Sequence, residues 1–295
     1  MSAPLVFDRP LFRRRIMRGI ALGYPDFLLA RAVDDLEERL ATVLRQFPLV
    51  LDIGTPTPLA ADWLTACGKA GAVVRISPLP ERRALTLVGD EEMLPVGGEQ
   101  FDLAVSLLSL QNVNDLPGAL VQIRRALKPD GLFIGCLFGG STLTELRQAF
   151  MQAEAEVEGG ASPRVAPFAD VRDLGSLLQR AGFALPVTDL ETVTVRYRDP
   201  FSLMRDLRGM GLTNALVDRR KTPLRRETLL RAASVYAERF ADPDGRLRAT
   251  FEMVWLSGWA PHESQQKPLR PGSAKMRLAD ALGVPEQGTS EKPGT

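Results

Sequence analysis

The sequence predicts an α/β protein: an open, largely parallel sheet of seven strands with a helical insertion before the last one. Three observations carry this. Short apolar runs alternate with helical periodicity as far as residue 140, the pattern of parallel strands joined by right-handed crossovers. The run Leu49-Val50-Leu51-Asp52-Ile53 leads into Gly54 and a helical stretch, the strand–loop–helix order in which such folds hold a ligand. Two more strands follow residue 180, separated by an arginine-rich helical segment.

The elements follow in order. Residues 1–45 read as an N-terminal helical segment, and strands are expected at 49–53, 72–76, 85–88, 101–107 and 131–137. Leu59 to Cys67 reads as the helix after the loop. Leu116, Leu120, Ile123 and Leu127 share one helical face, with Asn114 or Asp115 as cap and Pro117 tolerated in the first turn. Lys128-Pro129-Asp130-Gly131 then turns the chain into the fifth strand. Ser141 to Val157 predicts a helix capped by Ser141 or Thr142, and Asp170 to Ala181 another, closed by Gly182. Residues 187–197 alternate as a strand, 201–240 form the helical insertion, and 249–259 return as a last strand with Trp255 and Trp259 in its core. The domain organisation is thus a helical segment at 1–45, a domain at 46–262 with its insertion at about 200–248, and a polar, flexible tail at 263–295.

Composition narrows the function. A chain of 295 residues with 45% hydrophobic content can bury a large core. Its 37 basic and 36 acidic residues leave almost no net field, so nucleic acid is not expected as a partner. The single histidine, His262, rules out sites built from several imidazoles, and no metal is expected. Cys67 and Cys136 belong to no Cys-x-x-Cys unit and read as small buried hydrophobes. No run approaches the roughly 18 apolar residues of a membrane span. The first residues lack the pattern of a secretory signal, which makes a bacterial cytoplasmic protein the simpler reading.

The loop after Ile53 departs from the usual chemistry. A Gly-x-Gly-x-x-Gly loop works because residues without a Cβ let backbone N–H groups approach the ligand. Here Gly54 is followed by Thr55-Pro56-Thr57-Pro58, and each proline removes a donor. The site is either rebuilt or lost.

Specific residues resemble a known family. Phe7-Asp8-Arg9, Asp102-Leu103-Ala104-Val105-Ser106, Val113-Asn114-Asp115-Leu116-Pro117, Leu127-Lys128-Pro129-Asp130-Gly131, Phe138-Gly139-Gly140, Gly209-Met210-Gly211, Gly258-Trp259 with His262-Glu263-Ser264-Gln265, and Gly272-Ser273-Ala274 are similar to the respiratory complex I assembly factors that have a methyltransferase fold. The first half also resembles the malonyl-carrier-protein methyltransferases of biotin synthesis. The resemblance implies a Rossmann-like, seven-stranded class I methyltransferase sheet and S-adenosylmethionine (SAM) as cofactor, bound weakly or no longer bound. It places that cofactor at Asp52, Gly54, Arg75, Asp90, Glu91 and Leu107, and assigns no catalytic residue. Its next glycines fall on Pro56 and Pro58, its ribose-binding acid on Arg75, and its His-Trp pair on Gln111-Asn112.

Each position also has a plain structural reading. Asp52 reads as a cap for the next helix or a contact for the methionine amino group, and Asp90 as a capping acid or an adenine-edge contact. Arg75 reads as a solvated residue at a strand end. The cluster Arg196, Arg198, Arg205, Arg208, Arg219, Arg220, Lys221, Arg225 and Arg226 is a solvated face or a surface for an acidic partner. His262 reads as a surface residue or a substrate-facing one.

Two functions follow. The first is an enzyme that uses SAM on a protein or carrier-bound substrate; for the assembly factors the resemblance implies hydroxylation of an arginine on an iron–sulfur subunit of complex I. The second is a non-catalytic assembly partner with a degenerate SAM site. Either would work in the cytoplasm, peripheral at the inner membrane through its partner.

Overall fold

The computed structural model describes residues 5–81, 83, 85–266, 280 and 283. The chain divides into two compact units, Met1–Pro261 and His262–Thr295. The first contains α1 (Arg9–Ala21), α2 (Phe27–Ala41), β1 (Phe47–Ile53), α3 (Leu59–Ala66), β2 (Ala70–Ser77), β3 (Thr86–Val88), β4 (Phe101–Leu107), α4 (Leu116–Ala126), β5 (Leu127–Phe138), α5 (Thr144–Glu158), α6 (Val171–Arg180), β6 (Ala184–Tyr197), α7 (Pro200–Gly209), α8 (Arg226–Phe240) and β7 (Leu247–Trp259). In the second, the imidazole Nδ1 of His262 lies 2.7 Å from the Ser264 hydroxyl.

The strands form one seven-stranded sheet in the order β3-β2-β1-β4-β5-β7-β6. The first five run parallel; β7 is antiparallel to both β5 and β6. Strand order reverses between β1 and β4, and a crevice at such a switch point is where doubly wound folds bind ligands.

Burial on both faces explains the apolar runs. Val50, Leu103, Val105, Ile134, Cys136, Met253 and Trp255 enter the core shared with α2, α5, α7 and α8. Their neighbours Leu51, Ala104, Phe133, Leu137, Val254 and Leu256 enter the one shared with α4 and α6. The central strands β1, β4, β5 and β7 therefore alternate between two buried faces, whereas the edge strand β6 alternates exposed with half-buried positions.

Local details depart from expectation at four places. Residues 128–131 are not a free turn: the register jumps from Phe101 opposite Leu127 to Leu103 opposite Leu132, and Asp130 takes φ 62° within that irregularity. Neither Ser141 nor Thr142 caps α5. Leu143 stands there at φ 55°, because the Thr142 hydroxyl is engaged by Glu252, whose N–H it accepts at 3.0 Å. Cys67, expected inside, is exposed, whereas Cys136 is buried. Trp255 is 1% exposed, but Trp259 is only partly buried. Asp115 caps α4 by accepting the Gly118 N–H at 2.8 Å. Asn114 instead holds the N-terminal segment, its side-chain oxygen accepting the N–H groups of Val6 and Phe7 at 2.9 and 2.8 Å.

Candidate functional site

The loop after β1 is built by a backbone only glycine accepts. Gly54 sits at φ 67° and donates its N–H to the Ile76 carbonyl at 2.9 Å, locking the end of β1 to β2. A Cβ there would collide with the Glu91 carboxylate and the Ser109 hydroxyl. Thr55 follows, fully buried, and its Oγ1 accepts the Leu107 N–H at 3.2 Å. Pro58 is the residue before α3 and gives no side-chain cap. Asp52 therefore does not cap that helix.

Asp52 turns to Arg75, its register partner on β2. Arg75 is 2% exposed, not solvated at a strand end. It uses all five of its N–H groups. Nη1 pairs with Asp52 and donates to the Thr57 carbonyl at 2.9 Å. Nη2 donates to the Thr55 carbonyl at 3.0 Å and to Glu81 at 3.0 Å, and Nε reaches the other Glu81 oxygen at 3.2 Å. Burial works against the charge, but the carboxylates of Asp52 and Glu81 outweigh it and hold the guanidinium above its ordinary pKa. Arg75 thus donates to the loop carbonyls from within the protein.

The opposite wall is closed from the N-terminus. Arg9 on α1 pairs with Glu91, with Asp90 at 2.8 Å, and donates to the Asn112 carbonyl at 3.1 Å. Arg13 pairs with the other Asp90 oxygen. Burial pushes Asp90 up, while the Glu92 N–H and the Arg9 charge hold its carboxyl below the usual range. Glu91 accepts the Ser109 hydroxyl at 2.5 Å beside Gly54. Next to this wall lies a cavity of about 60 Å³ lined by Phe12, Asn112, Phe138, Leu207 and Phe251.

Asp52, Gly54, Arg75, Asp90, Glu91 and Leu107 therefore gather around the ends of β1, β2 and β4; Arg75 pairs with Asp52, whose Oδ1 has no hydrogen-bond partner, while Asp90 and Glu91 pair with Arg9 and Arg13. The sequence reading missed Arg9, Arg13, Thr55, Glu81 and Ser109. Arg9 stood in the Phe7-Asp8-Arg9 motif. Glu81 stood six residues beyond Arg75, but nothing in the spacing aimed it back at the strand.

Residues 27–186 match the family described as a methyltransferase domain. The chain belongs to that family. Within it, the chain is 40% identical to the protein named arginine-hydroxylase NDUFAF5, mitochondrial, of Danio rerio, over 93% of this chain and 89% of the relative. The human protein of that name is 41% identical, over 93% of this chain and 83% of the relative. A malonyl-[acyl-carrier protein] O-methyltransferase of Xylella fastidiosa is 39% identical, over 79% of each chain. A methyltransferase structure from Bacillus halodurans shares the fold at TM-score 0.53 and 15% identity, over 78% of this chain and all of that one.

The family supports SAM as the cofactor for which this fold is built. Toward it the described residues divide: Asp52 Oδ1 is buried without a hydrogen-bond partner, as a ligand-facing carboxylate is, while two positions depart from the usual site. The slot for the ribose-binding acid carries a cation that is fully used internally, and the approach to Gly54 is occupied by Glu91 and Ser109. Among the described residues, no helix is long and apolar enough to cross a membrane.

Proposed function

We propose that this chain acts in the assembly of complex I by binding a protein partner, an iron–sulfur subunit, with its cofactor loop closed. The single observation that carries the reading is Arg75, whose guanidinium is spent on Asp52, Glu81 and the loop carbonyls. The relationship to the arginine hydroxylases supports complex I as the setting. The domain of residues 46–262 supplies the scaffold, and the lobe at about 200–248, with α7 and α8, supplies the contact surface. The protein works in the cytoplasm and reaches the inner membrane only through its partner.

The arginines of the lobe divide by geometry. Arg219 donates to Asp8 at 3.1 Å and to the Leu216 carbonyl at 2.7 Å, and Arg220 pairs with Glu158, so both hold the fold. Arg205, Arg208 and Arg225 are exposed and remain for a partner. Rim charges of this kind act mainly on association rate and its salt dependence.

The test joins two measurements on the purified protein: calorimetric titration with SAM, and binding kinetics with the iron–sulfur subunit at two ionic strengths. The reading expects no heat at micromolar SAM and a salt-sensitive association that Arg225→Glu slows. Micromolar SAM affinity together with a hydroxylated arginine on the subunit by mass spectrometry would replace it with the enzymatic reading.

A further inference from the structure

A groove of about 660 Å³ lies between α2 and strands β5, β6 and β7, apart from the closed loop. Four carboxylates line it, Asp35 and Glu38 from α2 and Asp189 and Glu191 from β6, against two guanidiniums, Arg31 and Arg39. Arg31 pairs with Glu191 at 2.6 Å and with Asp35 at 3.1 Å, and Arg39 pairs with Asp189 at 2.6 Å. Two negative charges are left over.

Three buried polar atoms at this groove lack partners: Asp35 Oδ2, Trp255 Nε1 and the Nε of Arg39. Asp35 is 5% exposed and its Oδ2 accepts no hydrogen bond. Trp255 is 1% exposed and its Nε1 donates none. Orphans of this kind are uncommon in folded proteins and call for an explanation. The floor already receives flat cations: Arg39 lies 4.5 Å above the Trp255 ring, and Arg45 lies 5.5 Å above Trp259.

We propose that this groove binds the guanidinium group of an arginine presented by a partner polypeptide. A planar cation accounts for the excess charge and the orphaned carboxylate together. It neutralises the one and gives Asp35 Oδ2 its missing donor, beside the guanidinium of Arg39 that already covers the Trp255 ring. The Trp255 Nε1 then has a backbone carbonyl of the guest segment to meet, which a bare ion would not offer. Among the described residues no group of three His, Cys, Asp or Glu is disposed to hold a metal ion. Burial first, and then the facing Glu191, push Asp35 up to about 6 against the opposing pull of Arg31 and Arg39. Arg31, Glu38 and Arg39 face it from α2, Asp189 and Glu191 from β6, and the Cys136 thiol from β5. This site rests on none of the residues of the closed loop.

The test titrates the full-length protein with acetyl-Gly-Arg-Gly-amide and with its lysine and citrulline counterparts, read by tryptophan fluorescence and calorimetry. The arginine peptide should bind saturably, the lysine peptide about three-fold or more weaker, and the uncharged citrulline peptide undetectably up to about 10 mM. Asp35→Asn should weaken binding about ten-fold or more, and Glu191→Gln, on the more exposed side, should act in the same direction without risk to the core. Affinity for the arginine peptide should fall as pH drops through about 6, since a protonated Asp35 no longer attracts the guest. Equal binding of the citrulline peptide, no saturable binding of the arginine peptide, or wild-type affinity in both variants would overturn the proposal.

Discussion

Arg75 and Asp52 stand opposite each other on adjacent parallel strands, and their side chains form an ion pair sealed from solvent, at 2% and 0% exposure. Removing one partner of such a pair leaves a buried charge without compensation, which costs far more than the net worth of the pair. Arg75→Met should therefore destabilise the protein by about 3–5 kcal/mol. Asp52→Leu combined with Arg75→Met should recover most of that loss. Urea unfolding of the single and double variants decides it; a double variant no better than the single one would remove the pair from this account.

Gly54→Ala should be destabilising on two grounds, the positive φ of 67° and the collision with Glu91 and Ser109. Together these exceed about 1–3 kcal/mol, the range for one strained residue. A melting temperature within error of wild type would mean that the loop is not packed as described.

The pH dependence of stability should carry the mark of Asp35. Its folded pKa is raised from 3.8 to about 6, so its contribution to stability is fully present below the unfolded value and is lost as pH rises through about 6. Asp35→Asn should flatten that part of the profile and leave the protein at neutral pH at least as stable as wild type. Denaturant midpoints collected across the window would show it, and an unchanged slope in the variant would refute it.

Charge reversal should separate the structural arginines of the lobe from the exposed ones. Arg219→Glu faces Asp8 and should lower the melting temperature, while Arg225→Glu should leave it unchanged. Thermal melts of the two variants are enough; equal losses would mean that Arg225 also holds the fold.

Arg9→Ala strips Asp90 and Glu91 of a shared partner that is itself 8% exposed. Hydrogen exchange should then accelerate across residues 90–115, the wall this guanidinium holds. Protection equal to wild type there would place the closure elsewhere.

Much of this architecture was legible in the sequence, since strand and helix follow from the period of apolar residues. Asp52, Gly54 and the strand around them read correctly as the end of β1, and the wrong charge at Arg75 was visible. Its destination was not. An arginine at a strand end reads as solvated unless an acid is known to face it, and the two acids that do, Asp52 and Glu81, lie 23 residues before it and six after it. Arg9 escaped for the same reason, its partner Glu91 being 82 positions away. The capping of α5 failed differently: Thr142 is a good cap by type, but β7 claimed its hydroxyl.

The N-terminal segment is fastened at three places, by Arg9 and Arg13 to the Asp90–Glu91 turn, by Asn114 to Val6 and Phe7, and by the bridge of Phe7 to Leu216, where Asp8 also donates its N–H to the Ala215 carbonyl at 2.8 Å. A growing chain can make the first two fastenings once residue 114 is clear, but the third has to wait for residue 216. The N-terminal segment thus lacks the cover of the 215–216 stretch for much of synthesis, with one side of Phe7 open. Chaperone contact on the growing chain is expected to concentrate there, on a segment made early and sealed late.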